Sequence, residues 1–230
     1  MRKKKVGPIA IESFVLLVAL GTAYQGMAQD AKTQYPSMAP IEQYLMDRTA
    51  EIALARSAAP ESISDNAEVL VLGRHGFETA VNGKNGFVCL VERGWTAAPD
   101  PDFWNPKVRV PMCDNAAAAH SYLLRTIKTT DLVLAGRAKA QVDGAITAAV
   151  NKKELPAMEP GAICYMMSKQ GYGGDSAPHW PSHVMFFYSR LDPATWGANL
   201  PGSPIMAVSD DELTEFAIGV GRWSDGTEAR

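Results

Sequence analysis

Apolar positions along this chain follow two periods, one close to helical spacing and one close to strict alternation. In residues 38–60, MAPIEQYLMDRTAEIALARSAAP, Ile41, Leu45 and Ile52 recur near helical spacing. Pro40 suits a first turn and Pro60 ends the run, so the segment predicts a helix. The character then changes. Residues 68–72, 77–81 and 87–93 are short runs rich in β-branched and aromatic side chains, which predict strands. Between the last two lies Asn82-Gly83-Lys84-Asn85-Gly86, whose paired Asn-Gly steps tolerate positive φ and predict a hairpin there. A second helix is expected through AAAAHSYLLRTI, capped by Asp114 or Asn115. A third is expected over 138–153, where Val142, Ile146 and Val150 fall four apart.

Later in the chain, ICYMMS (163–168) and HVMFFYS (183–189) are almost continuously apolar, as expected of strands covered on both faces. Residues 205–208 and 213–220 read as a last hairpin around Ser209-Asp210-Asp211. Residues 94–115 read as loop, with four prolines and two tryptophans. Strands grouped with strands, and helices set between the groups, give an α+β fold: a mainly antiparallel sheet with two or three packed helices. Residues 38–230 form a single globular domain in this reading, preceded by a flexible leader at 29–37.

The N-terminus alters the compartment. MRKKK precedes an apolar stretch centred on residues 14–20, and Gly26-Met27-Ala28 offers small residues at a cleavage site. Residues 1–28 therefore read as a secretory signal peptide, with a periplasmic or extracellular destination. Spanning a bilayer takes roughly 20 apolar residues, and Pro8, Glu12 and the polar 22–25 segment shorten this core. Retention as an anchor is the alternative, and no later run is long enough to span. Cleavage would remove four of 22 Lys/Arg and one of 25 Asp/Glu, leaving 18 basic against 24 acidic side chains and a net charge of −6. No basic stripe remains, which excludes nucleic acid as a partner class.

Three cysteines, Cys89, Cys113 and Cys164, would enter an oxidising compartment, which permits one bridge and leaves an odd thiol. Cys89 and Cys113 are the closer pair, and closing that loop of about 25 residues would contribute about 3.5 kcal/mol on the chain-entropy account. Three unbridged core thiols are the alternative. Cys164, in an apolar run, fits a small buried hydrophobe.

Several motifs carry possible chemistry. Arg74-His75-Gly76, with Glu78, Thr79 and Asn82 close behind, resembles the signature of histidine phosphatases. That family needs a parallel strand running into a helix and a second imidazole on the same phosphate. Here Phe77 interrupts the pattern, the chain turns back into a strand, and His120, His179 and His183 do not follow apolar strands. The plainer reading makes this segment a tight connection between strands, with His75 on its surface. Gly174-Asp175-Ser176 resembles part of two hydrolase signatures but lacks the flanking glycines of one and the late Asp-x-x-His of the other.

His179 and His183 are the candidate metal pair, for Zn²⁺ or Cu²⁺. Pro178, Pro181 and the strand after His183 argue against a shared helix face. The loop itself would have to bring the rings together, with Asp175 or Cys164 as third ligand. A glycine-rich loop joining two buried strands is also where a scaffold displays polar chemistry. Lys169, Tyr172, Asp175, His179, Trp180 and His183, with His75, are thus the candidate ligand-binding residues. The leading expectation is a protein that binds a small ligand or an envelope component. A metal-dependent enzyme or hydrolase using residues 169–183 is the alternative, and the catalytic residues are not identified.

The segments GRHGFETAVNGKNGFVCLVERGW, DFWNP followed by PMCDN, and GAICYMMSKQGYGGD followed by HWPSHVMFF resemble a group of exported bacterial proteins of unassigned function. The resemblance covers nearly all of the mature chain, and its core is Gly83 to Cys89 followed by Pro111-Met112-Cys113. It implies residence in the envelope or outside the cell and a pairing of Cys89 with Cys113. It implies no reaction.

Overall fold

The computed structural model describes residues 34–97, 100–210 and 212–229. The expected signal peptide, and the leader up to residue 33, lie outside these. Eight strands form one sheet: β1 (Glu68–Gly73), β2 (Gly76–Val81), β3 (Val88–Glu92), β4 (Val110–Asp114), β5 (Ile163–Met166), β6 (His183–Tyr188), β7 (Ile205–Ser209) and β8 (Thr214–Gly219). Their order across the sheet is β2-β1-β3-β4-β5-β6-β8-β7. Every neighbouring pair is antiparallel except β1 with β3. The α+β class with a mainly antiparallel sheet is therefore observed.

The hairpin expected at Asn82–Gly86 does not form. The tight turn lies one connection earlier, where Arg74 and His75 join β1 to β2 across the Gly73–Gly76 pair. The Asn-Gly segment instead crosses the start of β1 and delivers β3 to its other side. Local hydrogen bonds decide this. Lys84 N donates to Asn66 O (2.8 Å) and Glu68 N to Phe87 O (2.8 Å), while Asn85 Nδ2 donates to Ile63 O (2.8 Å). A Cβ on Gly83 would lie 2.3 Å from Glu68 N. The glycine thus serves close backbone approach rather than a hairpin turn.

Residues 94–115, read as loop, contain a central strand. β4 is masked in the sequence by Pro111, which is unusual in a central strand. The ladder between β4 and β5 is confined to Cys113–Tyr165 and Asp114–Cys164, so Pro111 lies outside it. Cys89 faces Cys113 directly across β3 and β4, and the two are joined as a disulfide. Cys164 remains free and buried. It packs with the opposite face of the sheet, among Leu90, Met112 and Phe187, whereas the disulfide packs with Val69 and Val91.

The helices are α1 (Arg48–Arg56), α2 (Glu61–Ser64), α3 (Gly94–Ala97), α4 (Ala116–Ala119), α5 (Tyr122–Leu134) and α6 (Lys139–Asn151). The helix expected over 38–60 is shorter, because Asp47 caps Ala50 N (3.0 Å) and starts α1 there. α1 buries Leu54 and Ala55 against the disulfide face. Asn115 caps α4 through Ala118 N (2.9 Å), and α5 lies on the other face, with Tyr122 stacked on Phe187 of β6. α6 buries Val142, Ile146 and Ala149 beside Val133 of α5. At the β7 edge, Asn199 both donates to Ala207 O and accepts from Ala207 N, each at 2.9 Å, and so occupies the ladder position another strand would take.

One buried ion pair ties these parts together. Arg93, fully buried after β3, donates to Glu51 of α1 at 2.8 Å, to Tyr44 O at 2.9 Å and to Val91 O. Glu51 is 1 % exposed and also accepts from Leu72 N of β1 (3.2 Å). Removing one member leaves the other charge without its partner. Glu51→Ala is expected to lower unfolding free energy by about 3–5 kcal/mol in urea titrations, with Glu51→Gln, which keeps an acceptor, losing clearly less.

Candidate functional site

The 169–183 loop is held down by its own side chains. Lys169 Nζ pairs with Asp225 at 2.7 Å. Asp175 accepts from the hydroxyls of Tyr172 and Tyr35, the latter at 2.6 Å. The backbone of Tyr172 bridges to Arg109 in both directions, at 2.8 and 2.9 Å. Trp180 packs beside the His183 ring, with centroids 6.1 Å apart. Both line a cavity of about 20 Å³ with Pro111 and Met166, which is room for one water.

His183 is buried, its Nδ1 2.7 Å from Pro181 O, and burial holds the imidazole below its ordinary pKa. His179 is exposed. Among the described residues, no three His, Cys, Asp or Glu side chains converge as a metal site would require. His75 is exposed on the β1–β2 turn.

The Gly174-Asp175-Ser176 triplet turns out to be the receptor for a carboxylate. Asp102 is buried and accepts from Asn105 Nδ2 (2.7 Å), Asp175 N (3.1 Å), Ser176 N (3.1 Å) and Ser176 Oγ (2.6 Å). Burial pushes its carboxyl up, but these donors outweigh burial and hold it below the usual range. Gly174 has φ +128°, and a Cβ there would meet the Asp102 carboxyl at 2.6 Å. The Ser176 hydroxyl is thus engaged in anchoring the loop.

A much larger space lies elsewhere. A cleft of about 520 Å³ opens between α4–α5 and the β2-β1-β3 end of the sheet. Leu70, Phe77 and Val88 supply its sheet wall, and Leu123 and Ile127 of α5 its helical wall. Phe87, Gly83 and Gly86 come from the crossing segment. The polar members are Glu68, Thr79 and His120. Glu68 stands beside Val88 in the parallel pairing, and Thr79 Oγ1 donates to its carboxylate at 3.1 Å. Exposed His120 places Nδ1 3.9 Å from Glu159.

Beneath α5, on the same face, lies a group of acids away from the cleft lining. Glu92 of β3, Asp114 of β4, Cys164 of β5, Glu215 of β8 and Tyr122 of α5 are near enough for charge on the acids to shift the others' titration. Glu92 accepts from Thr126 Oγ1 at 3.2 Å, whereas neither oxygen of Asp114 has a hydrogen-bond partner within the protein. Burial, reinforced by Glu215, pushes Glu92 up to about 8. Burial pushes Glu215 up to about 7, with Arg125 opposing and Asp210 reinforcing. Burial, then Glu92, raises Asp114 well above its usual range. The Cys164 thiol is raised by burial and then by these acids, which leaves it protonated and unreactive.

Sequence reasoning missed both features. The acids had a signal: Glu92, Asp114 and Glu215 interrupt apolar strand runs on one alternation, as a lone carboxylate facing a core would. The cleft had none, because its walls come from 68–88 and 119–127, distant in sequence, and face each other only once α5 packs over the sheet.

The acid group sets a pH dependence. Native carboxyls titrating at about 7 and 8 keep protons that an unfolded chain has lost above about 4.5. Stability is therefore expected to fall as pH rises from 5 towards 8, then level off. Urea unfolding from pH 5 to 8 checks this, and Glu92→Gln should flatten the slope and stabilise the protein at pH 8. Below pH 4 the lowered Asp102 reverses the trend, since its contribution disappears as it protonates. No family model, characterised protein or solved structure matches the chain.

Proposed function

We propose that this is an exported protein, periplasmic or extracellular, that binds a small molecule with an apolar body in the cleft between α4–α5 and β2-β1-β3. The cleft's volume carries the reading. At about 520 Å³ it falls within the roughly 300–1,000 Å³ of small-molecule sites, and mostly apolar walls with a few placed polar groups are what such sites use. The buried Cys89–Cys113 disulfide supports export, since such bonds persist in oxidising compartments. Among the described residues, no helix is long and apolar enough to cross a membrane.

The 169–183 loop supports an enzyme less well. Lys169, Asp175 and Ser176 are committed to Asp225, to Tyr35 and Tyr172, and to Asp102. The small cavity behind Trp180 leaves no space for a substrate.

The neutral apolar dye N-phenyl-1-naphthylamine tests the assignment. Saturable fluorescence enhancement is expected from the wild-type chain. Ile127→Trp, which fills the cleft from a part-exposed position, should weaken it at least tenfold with an unchanged circular dichroism spectrum. His179→Ala should leave binding intact. A dye that responds to His179→Ala and ignores Ile127→Trp would place the site on the loop instead.

A further inference from the structure

We propose that the cleft selects cationic amphiphiles, molecules whose apolar tail fills the space between α5 and the sheet while a protonated amine meets Glu68. This rests on the small-molecule reading above and adds the charge class of the ligand. The polar groups of the wall decide it. The Glu68 carboxylate accepts one hydrogen bond, from Thr79 Oγ1. A carboxylate offers roughly four lone-pair positions, so acceptor capacity remains for an ammonium. Thr79 spends its only donor on Glu68 and adds none for an anion. Among the described residues, no Lys or Arg lines the cleft, so an anionic headgroup would find His120 alone.

The surroundings act in the same direction. His120 sits 3.9 Å from Glu159, which places a second carboxylate beside the mouth. Val88, in the wall, stands opposite Asp114 across β3 and β4, whose carboxyl keeps its proton, so the neighbouring strand adds no positive charge beside the wall. Without residues 1–28 the formal net charge is −6 and stays negative even with Glu92, Asp114 and Glu215 protonated, which favours encounter with cations over anions. A charge-assisted hydrogen bond from an ammonium to Glu68 would be stronger than a neutral one. The geometry therefore gives the cleft a polarity as well as a volume.

Displacement of bound N-phenyl-1-naphthylamine by dodecylamine, dodecanol and dodecanoate tests this, at pH 7 and below each compound's critical micelle concentration. Dodecylamine is expected to displace the dye at a concentration at least tenfold below that required for dodecanoate, with dodecanol between. Glu68→Gln should bring dodecylamine level with dodecanol and leave dodecanol unchanged, which shows that the cleft itself is intact. Raising salt should narrow the preference of the wild-type chain, since the contact is only part-buried. Dodecanoate equal to or better than dodecylamine would overturn the charge selection while leaving the binding site in place. Failure of all three to displace the dye, or absence of dye binding, would overturn the small-molecule reading and this inference with it.

Discussion

The contact between Arg93 and Glu51 holds four parts of the chain in one arrangement. The guanidinium leaves the end of β3, reaches α1 through Glu51 and grips the backbone carbonyl of Tyr44, while the same carboxylate receives the Leu72 amide of β1. Burying both charges carries a desolvation cost that their attraction only partly offsets. The return is geometric. Glu51 has one position in which it satisfies both Arg93 and Leu72, and that position fixes where α1 crosses the sheet. The cleft's sheet wall begins on the same strand, so its shape inherits this constraint.

Around that pair the molecule divides its polar groups by task. Asp102 lies where four donors converge and stays ionised, tying the 169–183 loop to the segment after α3. Glu92 and Asp114 lie under α5 with few donors and hold their protons, and Glu215 beside them titrates at about 7. Glu68 alone among these acids stands in an accessible wall, partnered by a single hydroxyl. The difference follows from the number of donors each carboxyl meets and from how much water reaches it, not from residue type.

Much of the fold could be read from periodicity. The strands near 68–72, 77–81, 87–93, 163–168, 183–189, 205–208 and 213–220 lie where β-branching and apolar runs place them, and Asn115 is a cap as expected, although the single helix expected after it is split into α4 and α5. The failures have specific causes. Asn-Gly steps favour a reversal, yet Gly83 is needed where the chain passes within contact of Glu68, and local turn chemistry does not distinguish a hairpin from a crossover. Pro111 hid β4 because its place outside the β4–β5 ladder is a tertiary fact. The same holds for function. His179, Asp175 and Ser176 drew attention as residue types, whereas the cleft is built from ordinary apolar residues that become a site only by meeting.

Cys164 and the disulfide sit on opposite faces of the sheet, one beneath α5 and the other beneath α1. Exchange requires a thiolate to approach a sulfur of the bridge, and here the sheet itself lies between attacker and target. Mispairing is therefore confined to the stage of folding before β4 and β5 join. Once that seam closes, the chain insulates its odd sulfur by architecture, and an oxidising environment finds nothing left to rearrange.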